Sequence, residues 1–279
     1  MKEGIQVSII TPTFNSEKTV EKTIRSVINQ GYQNIQYILI DGGSTDGTME
    51  IVNKYRSRIS IVVSERDRGI SDAFNKGIKL SEGDIIGIIN SDDELLIDAI
   101  DMLAREYDNM SEIFCGSIIA KGKRGYQIQH PDRNIDSLRE RMPIPHPATF
   151  ITRAAYDKYG VYDLSYKASM DRELLLRMYI NGATFQFSDT CFTLFNCGEG
   201  ISTADPSLYN YPEDEAISIK YGLNEKRAKE ITKKKGRILR RKKMISKVID
   251  LFDMWSLVNK LTKVKISDKE LGRIGSRAT

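Results

Sequence analysis

The chain reads as an α/β protein with a mainly parallel, Rossmann-like sheet covered by helices on both faces and followed by a basic, amphipathic helical tail. Two observations predict the sheet. Short runs rich in Ile and Val alternate with helix-length segments whose apolar residues recur every three or four positions. Each of the best-defined runs also stops at a cluster of Thr, Asn, Asp or Gly, as strands of open α/β sheets do where they meet a ligand. A third observation predicts the tail. Between Asn224 and Lys265 the sequence holds 15 Lys or Arg against 4 acids, leaving 27 basic and 34 acidic side chains elsewhere. A mildly acidic body therefore precedes a strongly basic extension.

Gln6 to Thr11 (QVSIIT) is a β-branched run closed by Pro12, and proline favours the end of a strand over its interior. Glu17 to Gln30 places Val20, Ile24, Val27 and Ile28 on one helical face, with Asn15 or Ser16 available as cap and Gly31 as stop. Ile35 to Ile40 forms the second strand and ends in Asp41-Gly42-Gly43. A helix from Ser44 or Thr45 to Tyr55 leads to a third strand over Ile59 to Val63. Ile70 to Leu80 is helical, and Asp84 to Ile89 is a fourth strand followed at once by Asn90-Ser91-Asp92-Asp93. Repeated βαβ units of this kind imply parallel pairing.

Beyond Leu96 the spacing predicts a helix over Ile97 to Tyr107, a hairpin of Ile113 to Ala120 with Tyr126 to His130, and a strand over Ala148 to Thr152. A short helix from Ala154 to Tyr159 and a longer one from Asp171 to Asn181 follow, then two separate strands, Thr184 to Phe187 and Phe192 to Asn196. Gly198 to Tyr211 reads as a polar, mobile loop.

Composition narrows the class. In 279 residues, 40% hydrophobic and 29% charged with 7 Pro and 20 Gly, collagen-like, disordered and disulfide-scaffold proteins are excluded. The three cysteines lack CxxC spacing and suit small buried thiols in a reducing compartment. MKEGIQVSII has no basic segment leading into a long apolar core, and no 18 consecutive apolar residues occur, so a cytoplasmic globular protein is expected. GxxxxGK[ST], GxGxxG and GxSxG are absent, and two histidines leave little room for a Ser-His-Asp or His-rich metal site. What remains is carboxylate chemistry. The pair Asp92-Asp93, where an apolar strand stops, suits a hard divalent cation such as Mg²⁺ or Mn²⁺ that shares its oxygens with a diphosphate.

These segments resemble family 2 glycosyltransferases of the GT-A fold, over roughly residues 5–205. VSIITPTFN (Val7 to Asn15) is similar to the family's opening strand, and ILIDGGSTDGT (Ile38 to Thr48) to its nucleotide-binding strand and turn. SERDRGISDAFNKGI (Ser64 to Ile78) resembles the third segment of bacterial capsule, O-antigen and exopolysaccharide enzymes, and INSDDE (Ile89 to Glu94) the DxD-type metal motif.

The resemblance implies that Asp41 accepts a hydrogen bond from the uracil imide and that Thr11, Pro12, Thr13, Asn15 and Gly43 belong to the nucleotide-sugar site. It implies that Asp92 contacts ribose or sugar hydroxyls and that Asp93 ligates the metal on the diphosphate. Asp72 is either a further donor-site contact or a helix-capping or surface residue. In inverting members the general base is the aspartate of a Glu-Asp pair at a helix start, after a G-x-[FY]-D segment. Here Gly160-Val161-Tyr162-Asp163 is followed by Ala168-Ser169-Met170-Asp171, which gives Asp171 that role and puts Met170 in place of the usual glutamate. Glu173 is the competing acid, with a capping-box role closing on Met170 as its alternative. His146, in PIPHPATF, is similar to a histidine lining the acceptor side, or is structural. The 198–211 loop resembles a segment that closes over the donor and excludes water.

Lys226 to Lys243 holds 11 basic residues in 18, and Met244 to Leu261 follows with Met244, Val248, Leu251, Trp255 and Val258 on one face. This reads as an interfacial anchor for anionic lipid, or as a helix docked on the body or a partner. Nucleic-acid binding is not expected, because aromatics are missing from the basic run. The expected partition is 1–223 as the catalytic domain, divided into 1–95 for the nucleotide and 96–223 for the acceptor, and 224–279 as the tail. The expected activity is inverting, metal-dependent transfer from a nucleotide-sugar, UDP-linked, to a glycan acceptor on a polyprenyl-diphosphate carrier at the inner face of the cell membrane. Two other classes fit less well. A nucleotidyltransferase needs a glycine-rich, Arg/Lys-bearing first loop, which TPTFNS lacks, and Met170 leans toward an inactive nucleotide-sugar-binding scaffold subunit.

Overall fold

A computed structural model describes residues 4–122, 125–197, 210–251 and 273. Within them lie β1 (Val7–Thr13), α1 (Val20–Ile28), β2 (Ile35–Asp41), α2 (Thr48–Lys54), β3 (Ile61–Ser64), α3 (Ile70–Leu80), β4 (Ile85–Ile88), β5 (Glu94–Leu95) and α4 (Ala99–Glu106). The second half has β6 (Ile113–Gly122), β7 (Gly125–Gln129), β8 (Thr149–Thr152), α5 (Arg153–Tyr159), α6 (Met170–Ile180), β9 (Phe185–Asn196), α7 (Asn210–Lys220) and α8 (Glu225–Leu251). The expected lid over 198–211 lies almost wholly outside the described residues. So does the amphipathic stretch beyond Leu251, with the side chains of 246–251.

The strands form one sheet in the order β3-β2-β1-β4-β8-β6-β9-β5, with β7 on β6. β1 to β4 pair with one another in parallel: β2 and β4 flank β1, and β3 flanks β2. The second half is mixed, since β8 runs antiparallel to both β4 and β6 while β6 and β9 are parallel. Alternation along the strands divides the core into two layers. Val7, Ile9, Tyr37 and Leu39 face α1, α2 and α4, whereas Ile10, Ile38 and Ile40 face α3, α5 and α6. A fully buried side chain such as Ile10 or Leu39 contributes roughly 1.5–3 kcal/mol.

Two sequence expectations change. Pro12 does not end β1, which continues to Thr13 in register with Asp41. Pairing of β1 with β4 stops at Ile10, so the missing N–H of Pro12, which faces that side, leaves no ladder bond unmade. The two strands expected over 184–196 are one, β9. The polar Ser188–Thr190 stretch that reads as a break is instead paired by α4: Ser188 Oγ and Thr190 Oγ1 donate to the Glu106 carboxylate at 2.5 and 2.6 Å. The irregularity survives as register shifts between Cys115 and Ile118 on β6. At Gly116 in that bulge a Cβ would clash with the Phe192 ring. Phe192 in turn packs edge-on against Phe114 and Phe150 with centroids 5.4 and 5.8 Å apart.

Candidate active site

From β1 the chain crosses to β2 on one side, and later reaches β4 and β8 on the other. The carboxyl ends of β1 and β4 therefore flank a topological switch point, where ligands of open α/β sheets bind. Three loops meet there and are tied together. Asn15, in the left-handed region with φ 49°, accepts from the Thr45 amide at 2.9 Å, and its own amide donates to Ser44 Oγ at 2.8 Å. Ser16 shares a 2.8 Å hydroxyl contact with Ser91, and its amide donates to Thr48 Oγ1 at 2.7 Å. Phe14, between them, is 59% exposed, an unusual position for a large aromatic ring and one that motif reading passes over.

Asp41 is fully buried at the end of β2. Its carboxylate accepts from the Gly43 and Ser44 amides, from Ser44 Oγ and from Ser64 Oγ of β3, the last at 2.6 Å. A ligand N–H reaches this carboxylate only if a serine hydroxyl turns away. Gly43 holds φ 87° in the turn, a conformation side chains rarely adopt. Thr11 is fully buried and its hydroxyl accepts from Tyr37 at 3.2 Å, so its side chain packs in the sheet interior. Asp72 is nearly buried and accepts from the Arg68 amide and guanidinium beside Lys76, in the manner of a helix-start cap on α3. Burial acts to raise its pKa, but these donors outweigh it and hold the carboxyl below the usual range.

The Asn90–Asp93 loop is braced by α1, whose Thr23 hydroxyl donates to the Asp93 carbonyl at 2.7 Å. Asp93 Oδ1 accepts from the Asn196 amide at 3.0 Å. Three oxygens on this edge, Asp93 Oδ2, Asn90 Oδ1 and Thr13 Oγ1, are buried without a hydrogen-bond partner. Burial, then the neighbouring Asp92 carboxylate, push the Asp93 carboxyl well above the ordinary range. A buried acid with an unpaired oxygen, beside a second carboxylate, is a poor arrangement for the protein alone and a good one for a hard cation. Among the described residues no three His, Cys, Asp or Glu side chains gather around one point, so any cation held here would need further ligands from other oxygens.

A second cluster lies at the start of α6. The turn His146–Ala148 leads into β8 and so lies at the same carboxyl edge as the end of β4. His146 stacks on Phe74 at 5.6 Å, and its Nε2 contacts the Tyr162 hydroxyl at 2.9 Å. Burial lowers its pKa to about 4, so it is neutral at pH 7. Asp171 is partly exposed in the first turn of α6 and accepts from the Arg172 amide at 2.7 Å. Burial, with Asp214 adding to it, raises its pKa to about 6.

Glu173 does not close back on Met170 as a capping box would; it is 1% exposed and bonded to Arg177, to Lys220 at 3.3 Å and to the Tyr221 hydroxyl at 2.5 Å. Arg172 is also fully buried and donates to the carbonyls of Leu138, Arg139 and Asp214, to the Asp214 carboxylate and to Ser218 Oγ. The helix expected to start the tail is docked in part. Lys235 donates to Asp214 at 2.6 Å and to the Glu140 carbonyl at 3.1 Å, and Arg227 pairs with Glu140. None of these α7 and α8 partners belongs to a motif that a sequence search would pick out.

A parallel half-sheet ending in a tight turn and a carboxylate pair, joined to a mixed half that presents a partly exposed acid at a helix start, has the architecture of GT-A sugar-transfer enzymes. The family model described as glycosyl transferase family 2 matches residues 8–177, and the chain belongs to that family. It is similar to the PGL/p-HBAD biosynthesis glycosyltransferase of Mycobacterium bovis, 29% identical over 185 residues, which cover 63% of this chain and 70% of that protein. It is similar also to chondroitin synthase of Pasteurella multocida, 24% identical over 234 residues, covering 79% of this chain and 23% of that one. Among solved structures, S. aureus TarS 1-349 in complex with UDP-GlcNAc superposes with a TM-score of 0.65 at 20% identity, covering 82% of this chain and 70% of that one. The mannosyltransferase PcManGT from Pyrobaculum calidifontis, in complex with GDP-Man and Mn²⁺, superposes with a TM-score of 0.59 at 16% identity, covering 83% and 69%.

Proposed function

We propose that this glycosyltransferase is inverting and metal-dependent, and that it moves a sugar from a UDP-sugar to a hydroxyl of a growing surface glycan on a polyprenyl-diphosphate carrier. The observation that carries the reading is the unpaired, buried Oδ2 of Asp93 at the switch point, next to Asp92 and two further unpaired oxygens. Asp93 would hold Mn²⁺ or Mg²⁺, with Asp92 toward ribose or sugar hydroxyls. The cation supplies electrostatic stabilisation of the departing diphosphate. TarS, similar in fold, was crystallised with UDP-GlcNAc and with UDP. The exposed ring of Phe14 offers the nucleobase a stacking face, with Pro12, Thr13, Asn15 and Gly43 around it and Asp41 as the acceptor for a base N–H once Ser44 turns.

Asp171 is the base. Its carboxylate removes the proton from the acceptor hydroxyl as that oxygen attacks the anomeric carbon from the face opposite the leaving diphosphate, so an α-linked donor gives a β-linked product. A pKa near 6 leaves it ionised at neutral pH yet basic enough to take a proton. His146, neutral and fixed by Tyr162, lines the acceptor side as a hydrogen-bonding group. We further read 1–95 as the donor half, 96–223 as the acceptor half and 224–279 as a tail whose exposed cations meet an anionic membrane from the cytoplasmic side. Among the described residues no helix is long and apolar enough to cross a membrane.

Calorimetric titration of UDP, with GDP as control and with or without Mn²⁺, tests the donor site. UDP binding that needs Mn²⁺ and is lost in Asp93→Ala is expected. Binding indifferent to both would overturn the metal assignment and favour a catalytically inactive scaffold role.

A further inference from the structure

The residues around Asp171 are held from outside the segment that matches the family model. Glu213, in the first turn of α7, turns its carboxylate onto the loop that precedes α6. Its Oε1 accepts from the Lys167 amide at 2.8 Å, and its Oε2 from the amides of Ala168 and Ser169 at 2.9 and 2.8 Å. Three consecutive peptide N–H groups therefore share one carboxylate, two to four residues before Asp171. Bonds from neutral amides to a carboxylate are roughly twice as strong as neutral pairs, and a helix start favours a negative partner. No side chain of α6 does this work: its N-cap Ser169 makes no side-chain capping bond, and Glu173 is committed to Arg177, Lys220 and Tyr221.

The neighbours of Glu213 complete a clamp. Asp214 and Ser218 of α7 hold Arg172, directly after Asp171. Lys220 and Tyr221 hold Glu173, two residues after it. Every residue from 167 to 173 other than Met170 and Asp171 is thus bonded to α7 or the turn just after it, and Asp171 is the acid that α7 leaves uncommitted. We propose that Glu213 is a positioning residue for the base: by fixing the amides of Lys167 to Ser169 it sets where the first turn of α6 begins, and with it the direction of the Asp171 carboxylate toward the acceptor hydroxyl.

The inference rests on Asp171 being the base. Misplacing a reacting group by about 1 Å costs on the order of 10²-fold in rate, so Glu213→Ala is expected to lower kcat by about that factor. The KM for the donor and the Kd for UDP stay unchanged, because the donor loops are tied to β1, β2 and β4. Glu213→Gln retains one oxygen, which can still accept from Ala168 and Ser169, but turns an N–H toward Lys167. It is expected to fall between wild type and Ala, and it keeps the test open if the Ala variant fails to fold. Full kcat in both variants, or a donor KM that rises in step with the loss of kcat, would sink the proposal. Asp171→Asn, assayed in parallel, separates the two ideas. If that variant turns over at close to the wild-type rate, the base assignment fails and this inference with it; if it keeps only a small residual rate while Glu213→Ala works normally, only this inference fails.

Discussion

Asp171 and Glu173 are two acids in the first turn of one helix, and the structure gives them opposite fates. Glu173 is buried against one guanidinium, one ammonium and one phenol, so it serves as structure. Asp171 is partly open and bonded to its neighbour's amide, so it remains available for chemistry. Its carboxyl is raised from the model-peptide range to about 6 by burial, with Asp214 adding and Arg172 opposing. A raised acid pKa means the folded chain holds the proton more tightly than the unfolded one, so this group's contribution to stability diminishes as pH rises from about 4 through about 6. For catalysis the sign is reversed, because the base must be ionised. The kcat profile is therefore expected to rise with pH through an inflection near 6 and level off above it, with no such limb in the residual rate of Asp171→Asn. An inflection nearer 4, with full activity at pH 5, would remove Asp171 from the role.

At the scale of elements, legibility followed local signals. The βαβ half was readable because Ile and Val runs, helix periods and Gly or Asp turns all recur within thirty residues, and its parallel order followed from them. The Tyr37 partner of Thr11 was not legible, because a polar residue at a strand end looks the same in sequence whether it faces a ligand or another side chain. The i+3 spacing of Glu173 from Met170 fits a capping box, whereas two of its three partners, Lys220 and Tyr221, lie some fifty residues away on α7 and just beyond it. The lock of α7 onto α6 was unreadable for the same reason. It is made by Arg172, an ordinary helical arginine by spacing, whose donors are all met by carbonyls, Asp214 and Ser218 in the fold. Removing one member of such a buried charged network strands the rest, at a cost of about 3–5 kcal/mol. Arg172→Leu is expected to lower stability by that amount in urea unfolding, with a reduced midpoint and an unaltered slope. A midpoint within error of wild type would mean that α7 is held by its apolar face, Ile217 included, and not by Arg172.

Over the whole molecule the charge is divided between an acidic body and a basic tail, and α8 shows how the two meet. One side of this helix is taken up by the body: Ala228 is buried, Lys235 reaches Asp214, and Arg227 reaches Glu140. The other side leaves Lys233, Lys234, Arg237 and Arg240 exposed, near Ile238, which is 45% exposed, and Met244, which is 62% exposed. Docking is therefore compatible with the proposed membrane attraction, because different residues of one helix would serve each. Cations at an anionic surface each add about 1 kcal/mol within a Debye length. The quadruple change of Lys233, Lys234, Arg237 and Arg240 to Glu is thus expected to weaken sedimentation with phosphatidylglycerol vesicles by ~10²-fold or more. Binding of the wild type should fall steeply between low and physiological salt, and uncharged phosphatidylcholine vesicles should not retain it. Because these four side chains are exposed and none of the bonds described for Asp93, Asp171 or Glu213 involves them, turnover on a water-soluble acceptor should be unaffected. Vesicle binding that survives the charge reversal would place the membrane contact elsewhere in the chain, whereas loss of turnover with the soluble acceptor would show that α8 supports the catalytic half through more than Lys235 and Arg227.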